Sequence, residues 1–353
     1  MTVFVLSFLS VYTITPFIIK FAHKTRFIDN PDARKIHKKA TPLLGGIAVF
    51  IGFFLLTVYI VLTKLHSFNI SIIGYLTGAL LIVLVGVIDD KYGMNPILKL
   101  VGQILSCLIF IVSNDLINLL GPFYITLPVL FLWMVGLMNA LNFLDNMDGI
   151  ITGMSGILAL GFYAFSFISK TDSLVSYANF ISLISLIFAG SVFGFLPFNF
   201  NPAKIFLGDA GSMFIGYFLS TMGILSGRLA VVSMSNNLYY LLPVLLLSYA
   251  IFDISLVSFT RKRDGRKISQ GGRDHSTHRI GTAIGSLKLT ALIVYLINII
   301  IVLVTIIVFK MESDELLIIF TVLFALIFLF FGKKLDQIPI VIPDNQLRQG
   351  KEV

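Results

Sequence analysis

A chain of 353 residues that is 57% hydrophobic and only 12% charged, with a mean hydropathy of +0.95, is too apolar for a soluble globule. Its net charge of +8 invites a nucleic-acid reading, but the basic residues lie between apolar runs, as the positive-inside rule requires, so no nucleic-acid partner is expected. Cys107 is the single cysteine and stands in an apolar run, which excludes an internal disulfide.

Each apolar run approaches the ~20 residues that cross a bilayer as a helix, and no polar stretch is long enough for a separate soluble domain. Residues 1–353 therefore read as one all-α, polytopic membrane domain of about eleven spans, with the N-terminus outside and the C-terminus cytoplasmic. Residues 2–20 have no basic region before them and run straight into a Lys/Arg/His cluster, the reverse of a signal peptide, so they form a first span. Residues 21–43, with six Lys/Arg, make the first cytoplasmic loop. Spans at 44–63 and 70–88 follow, the latter ending on Asp89-Asp90, and spans at 97–113 and 127–144 bring Asp145 and Asp148 to the same side. Spans at 150–169 and 177–196 lead into the loop PFNFNPAKIFLGDAGS, which carries Asp209. Spans eight (211–226) and nine (239–258) reach a basic loop, Arg261 to Ile280, with seven Lys/Arg; Asp253 lies about a turn and a half inside span nine. Spans ten (286–309) and eleven (316–332) and a cytoplasmic tail complete the chain. Only Lys64, Lys170, Arg228 and Lys310 fall in external turns, leaving 22 of the 26 Lys/Arg on or near the cytoplasmic face.

The acids share that face. Asn139, Asn142, Asp145 and Asp148 recur every third residue and trace a slowly turning stripe on one side of a helix. Such groups do not face lipid; they mark a site lined by protein, water or ions. A lone Asp at a helix end reads equally well as a cap, but Asp89-Asp90, Asp145-x-x-Asp148 and Asp209 together exceed what capping needs. Gathered carboxylates call for a cation, and Mg²⁺, with Mn²⁺ as the alternative, takes one or two of them and completes its shell with water and phosphate oxygens. Gly208-Asp209-Ala-Gly-Ser opens a helix whose free N–H groups favour an anion, although glycines there also serve close packing. Lys99 either snorkels to the interface or binds phosphate. In Gly272-Arg273-Asp-His275-Ser-Thr-His278-Arg279 a solvated loop accounts for the arginines but not for the histidines, which bind phosphate, carry a proton or ligate metal. The combination points to phosphoryl transfer at the membrane surface, catalysed by metal, cationic clamps and positioning.

Five segments in order resemble the polyprenyl-phosphate N-acetylhexosamine-1-phosphate transferases, the GlcNAc-1-phosphate transferase type of glycosyltransferase family 4. They are Asp29-Asn-Pro-Asp-Ala-Arg-Lys35-Ile-His37 with Pro42 and Gly45-Gly46; Asp89-Asp90 with Lys99-Leu-Val-Gly-Gln103; Asn139 to Gly149; Phe206 to Ser212; and Arg273 to Arg279. The motif-bearing part covers about residues 29–280, and residues 281–353 add two spans and the tail. The resemblance implies transfer of a sugar 1-phosphate from a UDP-N-acetylhexosamine, GlcNAc first, to undecaprenyl phosphate at the cytoplasmic face of a bacterial inner membrane, with release of UMP. It makes Asp209 the principal Mg²⁺ ligand with Asp90 and Asp148 beside it, and Asp89 the residue that deprotonates or orients the lipid phosphate. Asn139, Asn142, Asp145 and Asp148 become the nucleotide and metal neighbourhood, and Lys35, His37, Lys99, Arg273, His275, His278 and Arg279 bind substrate.

Thr277 stands where GlcNAc-specific members often carry a third histidine, so GalNAc, QuiNAc and FucNAc donors stay open. The absence of consecutive histidines argues against a MurNAc-pentapeptide donor. The alternative of another class, an ion-coupled transporter, expects its acids near the bilayer midplane and repeated halves, and the sequence has neither. A homodimer is left open.

Overall fold

The computed structural model describes residues 1–29, 40–65, 69–169, 175–268 and 272–339. Among the described residues ten helices are long and apolar enough to cross a membrane: α1 (Thr2–Lys24), α2 (Gly45–Ile60, continued by a wider turn, Val61–Leu65), α3 (Ile70–Tyr92), α4 (Pro96–Ser113), α5 (Phe123–Leu144), α6 (Ile150–Ile168), α7 (Val175–Asn199), α8 (Gly208–Met234), α12 (Leu287–Lys310) and α13 (Asp314–Asp336). A bent pair, α9 (Leu241–Leu246) with α10 (Ser248–Arg263), makes an eleventh, and α11 (Ser276–Ile284) is a short helix between α10 and α12. The all-α, multi-span expectation holds.

Polar punctuation sets the boundaries. Asn69, Asn95, Ser286 and Ser313 each accept a backbone N–H from the first turn of α3, α4, α12 and α13, satisfying donors that the helix itself leaves free. Pro96 follows Asn95 at the first helical position, where a missing N–H costs nothing.

Helix α8 is the axis of the bundle. Its spanning window is 83% buried, against 22% for the peripheral α13, where Ile319, Leu326, Leu329 and Phe330 point outward. Small residues let its neighbours approach: a Cβ on Gly46 of α2 would lie 2.2 Å from the Gly211 nitrogen, and one on Gly86 of α3 would lie 2.3 Å from Ala210 Cα. Deeper in the bundle large rings fill the space, with Phe188 and Phe218 stacked at 3.5 Å and Phe53 and Phe214 edged against them.

Three features differ from the sequence expectation. Span nine is not straight: the chain turns by 71° at Leu247, where no glycine or proline stands, and restarts when Ile251 N–H donates to the Leu247 carbonyl. The first loop contains a two-residue antiparallel ladder, β1 (Ile28–Asp29) with β2 (Thr41–Pro42), pairing Ile28 with Pro42 and Asp29 with Thr41. Its Pro42 carbonyl accepts from Phe206 N, while Gly45 and Gly46 donate to the carbonyls of Phe206 and Leu207, so the segment before α8 is held like a third strand. Finally, the basic loop is partly helical, and Thr277, His278 and Arg279 lie on α11.

Candidate active site

At one end of the bundle the terminal residues of α3, α5 and α7, the turn between α5 and α6, and the first residues of α8, α11 and α12 surround a cavity of about 710 Å³. Its wall includes seven of the residues singled out above, Asp90, Asn142, Asp145, Asp148, Asp209, Arg273 and His278. Four distant stretches of chain therefore meet in one place.

The centre is an ion cluster. Lys99 Nζ, one turn into α4, lies 2.8 Å from Asp89 Oδ2 and 2.5 Å from Asp209 Oδ2, and donates to Asn142 Oδ1 at 3.3 Å. Asn142 in turn donates to Asp209 Oδ1 and to Ser212 Oγ, both at 2.8 Å. Lys99 therefore does not snorkel outward; only 16% of its side chain is exposed, with carboxylates on two sides. Asp89 also accepts from Met94 N at 2.6 Å, which holds the α3–α4 turn against the cluster. Asn139 lies one turn deeper, where its carboxamide and that of Gln103 pair in both directions, at 3.0 and 3.4 Å.

The sequence reading offers the first N–H groups of α8 to an anionic ligand; the structure gives them to Asp90. Its Oδ1 accepts from Asp209 N at 2.8 Å and its Oδ2 from Ala210 N at 3.1 Å. A carboxylate at a helix N-terminus is favoured by the unpaired donors and by the dipole, and this one arrives from α3, remote in sequence. Asp148 is also engaged: its Oδ2 accepts from Asn201 Nδ2 at 2.9 Å and Ala203 N at 3.0 Å. Asp145 differs. Among the described residues its carboxylate takes no hydrogen bond or ion pair, and burial, followed by the fields of Asp209, Asp90 and Asp148, pushes its carboxyl well above the usual range.

That unanswered carboxylate is where the donor set fits a divalent cation. Among the described residues no three His, Cys, Asp or Glu side chains converge as a ready cluster, so the assigned trio Asp209, Asp90 and Asp148 does not form a cage. Mg²⁺ does not need one, because water and phosphate oxygens supply most of its shell. Among the described residues no donor reaches either Asp145 oxygen or Asp148 Oδ1 on the cavity wall, which Asp209 shares.

The histidine segment divides in two. His278 lines the cavity, is 8% exposed, and has a buried Nδ1 with no partner among the described residues. Burial, with the neighbouring His275 next in weight, lowers its imidazole to about 4, so it is neutral near pH 7. His275, expected to bind substrate, faces away from the cavity: its Nδ1 lies 2.7 Å from Asp253 Oδ2, both residues buried. Arg279 also points inward, donating to the Asp274 and Leu335 carbonyls and reaching Asp336 at 3.4 Å. Asp274, between Arg261 and Arg266, is the anchor of the segment; burial opposes its charge, but the Arg261 fork at 2.7 and 2.9 Å holds its carboxyl at about 2. Lys35 and His37 lie outside the described residues.

Sequence reasoning passed over two asparagines. Asn199 Oδ1 accepts from Gly149 N and Thr152 Oγ1 while its Nδ2 donates to the Ile205 carbonyl, tying the acidic turn to the loop before α8. Asn201 orients Asp148. The signal was the Asn-Phe-Asn run at the end of α7, polar residues with no role in a plain apolar span.

The model of glycosyl transferase family 4 matches residues 72–227, the stretch that brings Lys99, Asn142 and Asp209 together. The probable undecaprenyl-phosphate N-acetylglucosaminyl 1-phosphate transferase of Bacillus subtilis is 33% identical over 305 residues, which are 84% of this chain and 81% of that protein. The chain belongs to glycosyl transferase family 4. As a member of glycosyl transferase family 4 it is an enzyme, a transferase embedded in a membrane by its apolar helices. The undecaprenyl-phosphate alpha-N-acetylglucosaminyl 1-phosphate transferase of Thermotoga maritima is 31% identical over 76% of this chain and 77% of its own. A phospho-N-acetylmuramoyl-pentapeptide-transferase of Prochlorococcus marinus is also 31% identical, over 64% of this chain and 67% of its own.

Proposed function

We propose that the enzyme transfers N-acetylhexosamine 1-phosphate, with GlcNAc as the first candidate, from a UDP-sugar to undecaprenyl phosphate at the cytoplasmic membrane face. UMP is released and a lipid-linked diphosphoryl sugar is formed, the first step of a cell-envelope polysaccharide or teichoic acid. The observation that carries this reading is the Asp89–Lys99–Asp209 cluster with Asn142, set at helix ends where a lipid headgroup meets a cytosolic nucleotide. The relatives named for polyprenyl-phosphate substrates support it.

In the reaction an oxygen of the lipid phosphate attacks the phosphorus that bears the sugar, and the bond from that phosphorus to the UMP oxygen breaks. A phosphate monoester already presents an anionic oxygen, so direct attack needs no protein nucleophile. Lys99 supplies the positive charge that draws the lipid phosphate to the cluster, and Asp89, whose Oδ2 faces Lys99 Nζ, orients it or takes its proton. Asn142 fixes the rotamer of Asp209, and Asp90 fixes the end of α8 on which Asp209 stands. Arg273 and the neutral His278 line the cavity where the diphosphate and sugar lie. Asp209, with Asp145 and Asp148, would hold a divalent cation, which would supply positive charge against the diphosphate.

The test is UMP release by purified protein in detergent with undecaprenyl phosphate, Mg²⁺ and single UDP-N-acetylhexosamines. One donor is expected to react, EDTA to stop the reaction, and Asp209→Asn to lower turnover at least about a hundredfold while the protein stays folded. Full activity of that variant would remove Asp209 from the metal site. Silence with every donor from folded protein would end the transferase assignment to these substrates.

A further inference from the structure

Two cavity walls come from stretches 131 residues apart in sequence and are joined by a hydrogen bond from Thr277 Oγ1 to Asn146 Oδ1 at 2.8 Å. Thr277 is fully buried on the first turn of α11, and the next residue is His278. Asn146 lies in the cavity wall directly after Asp145 and two residues before Asp148. Its other end is committed as well, Nδ2 donating to the Phe143 carbonyl at 3.0 Å. With both ends of the carboxamide engaged, the amide has one orientation, and a movement of α11 is passed to the turn that carries the carboxylates.

The back of α11 is fixed independently. Asp253 accepts from His275 Nδ1, Ser276 N and Ser276 Oγ at 2.7, 2.8 and 2.6 Å, and Tyr249 shares a 2.9 Å hydrogen bond with the same hydroxyl. The first turn is thus tied to the bundle by residues 275 and 276 and to the acidic turn by residue 277. In contrast, His278 keeps at the cavity a buried Nδ1 that is unpaired among the described residues. A buried polar atom without a partner is costly, so the arrangement holds an imidazole ready for a ligand group.

We infer that Thr277 is a positioning residue for donor binding: through Asn146 it sets the spacing between His278 and the carboxylates of Asp145 and Asp148, the frame that receives the sugar-phosphate part of a nucleoside diphosphate sugar. The donor in this statement rests on the proposed function; the coupling between the walls does not. A valine at 277 keeps the shape and removes the hydroxyl, whereas serine keeps the hydroxyl. Thr277→Val raises the donor KM roughly tenfold, the loss of one buried hydrogen bond, with kcat and the KM for undecaprenyl phosphate near wild type. Thr277→Ser restores the donor KM, and Asn146→Ala, which breaks the same bond from the other side, reproduces the valine phenotype.

Hydrogen exchange of the same proteins without substrate provides the second readout. In Thr277→Val, exchange rises together in residues 144–150 and 276–284. An unchanged donor KM in the valine variant, or a serine variant that fails equally, overturns the donor role. Exchange that rises in one segment alone overturns the coupling. A wild-type protein that consumes no donor overturns the proposed function and the donor role with it, and the exchange experiment then still decides the coupling.

Discussion

His278 shows how much one buried side chain demands of its surroundings. Burial, helped by His275 and Arg273 and opposed by Asp253 and Asp274, brings its imidazole to about 4 against an ordinary 6.5. The unfolded chain therefore takes up a proton below pH 6.5 that the folded protein refuses until about pH 4. Its contribution to stability is complete above 6.5 and is lost as the pH falls toward 4, by on the order of 3 kcal/mol. Melting temperatures in detergent are expected to decline across that window, and His278→Gln to flatten the decline. Asp274, held at about 2, loses its contribution only below its ordinary 3.8, as the pH falls through about 2, so the two effects are separable by pH. Profiles of wild type and His278→Gln that run parallel between pH 6.5 and 4 would show that the imidazole titrates freely.

At the scale of elements, the catalytic end depends on how closely α2 and α3 approach α8. A Cβ on Gly46 would sit 2.2 Å from backbone nitrogen and 2.4 Å from Cα of Gly211, atoms that no rotamer change can move. Gly46→Ala is therefore expected to cost about 3 kcal/mol or more and to sharply lower the yield of monodisperse protein. Gly136→Ala on α5, with nothing within 4 Å of its added Cβ, gains helix propensity at no steric cost and serves as the control. Equal recovery of the two variants on size-exclusion chromatography would mean that α2 and α8 do not pack as described. The Gly45-Gly46 pair could be read as a packing signal from sequence, as could the spans and the face on which Asp89, Asp145 and Asp209 collect, because apolar length and charge placement are local patterns. The capping of α8 by Asp90 could not, since it joins residues 119 and 120 positions apart, and neither could the assignment of His275 to Asp253 rather than to substrate. The bend at Leu247 falls four residues after Pro243, at a position that carries no glycine or proline itself.

For the molecule as a whole, the decisive question is which side of the membrane the cavity faces. Its end of the bundle carries Lys24, Arg26, Lys91, Arg261, Lys262, Arg263 and Lys333 beside helix termini, while Arg228 and Lys310 lie toward the other. Positive charge is retained on the cytoplasmic side, so the cavity is expected to open there, where nucleotide sugars are made. The single native thiol allows a clean test, because Cys107 is fully buried. Met311, 60% exposed in the turn between α12 and α13 at the far end, and Lys262, exposed at the end of α10 near the cavity, are suitable positions for a new thiol. In intact cells a membrane-impermeant maleimide is expected to label Met311→Cys and to reach Lys262→Cys only after permeabilisation. The reverse pattern would place Asp209, Lys99 and His278 on the outer face, away from any nucleotide pool. The donor would then have to be a molecule other than a UDP-sugar, even though the cluster at the helix ends stayed the same.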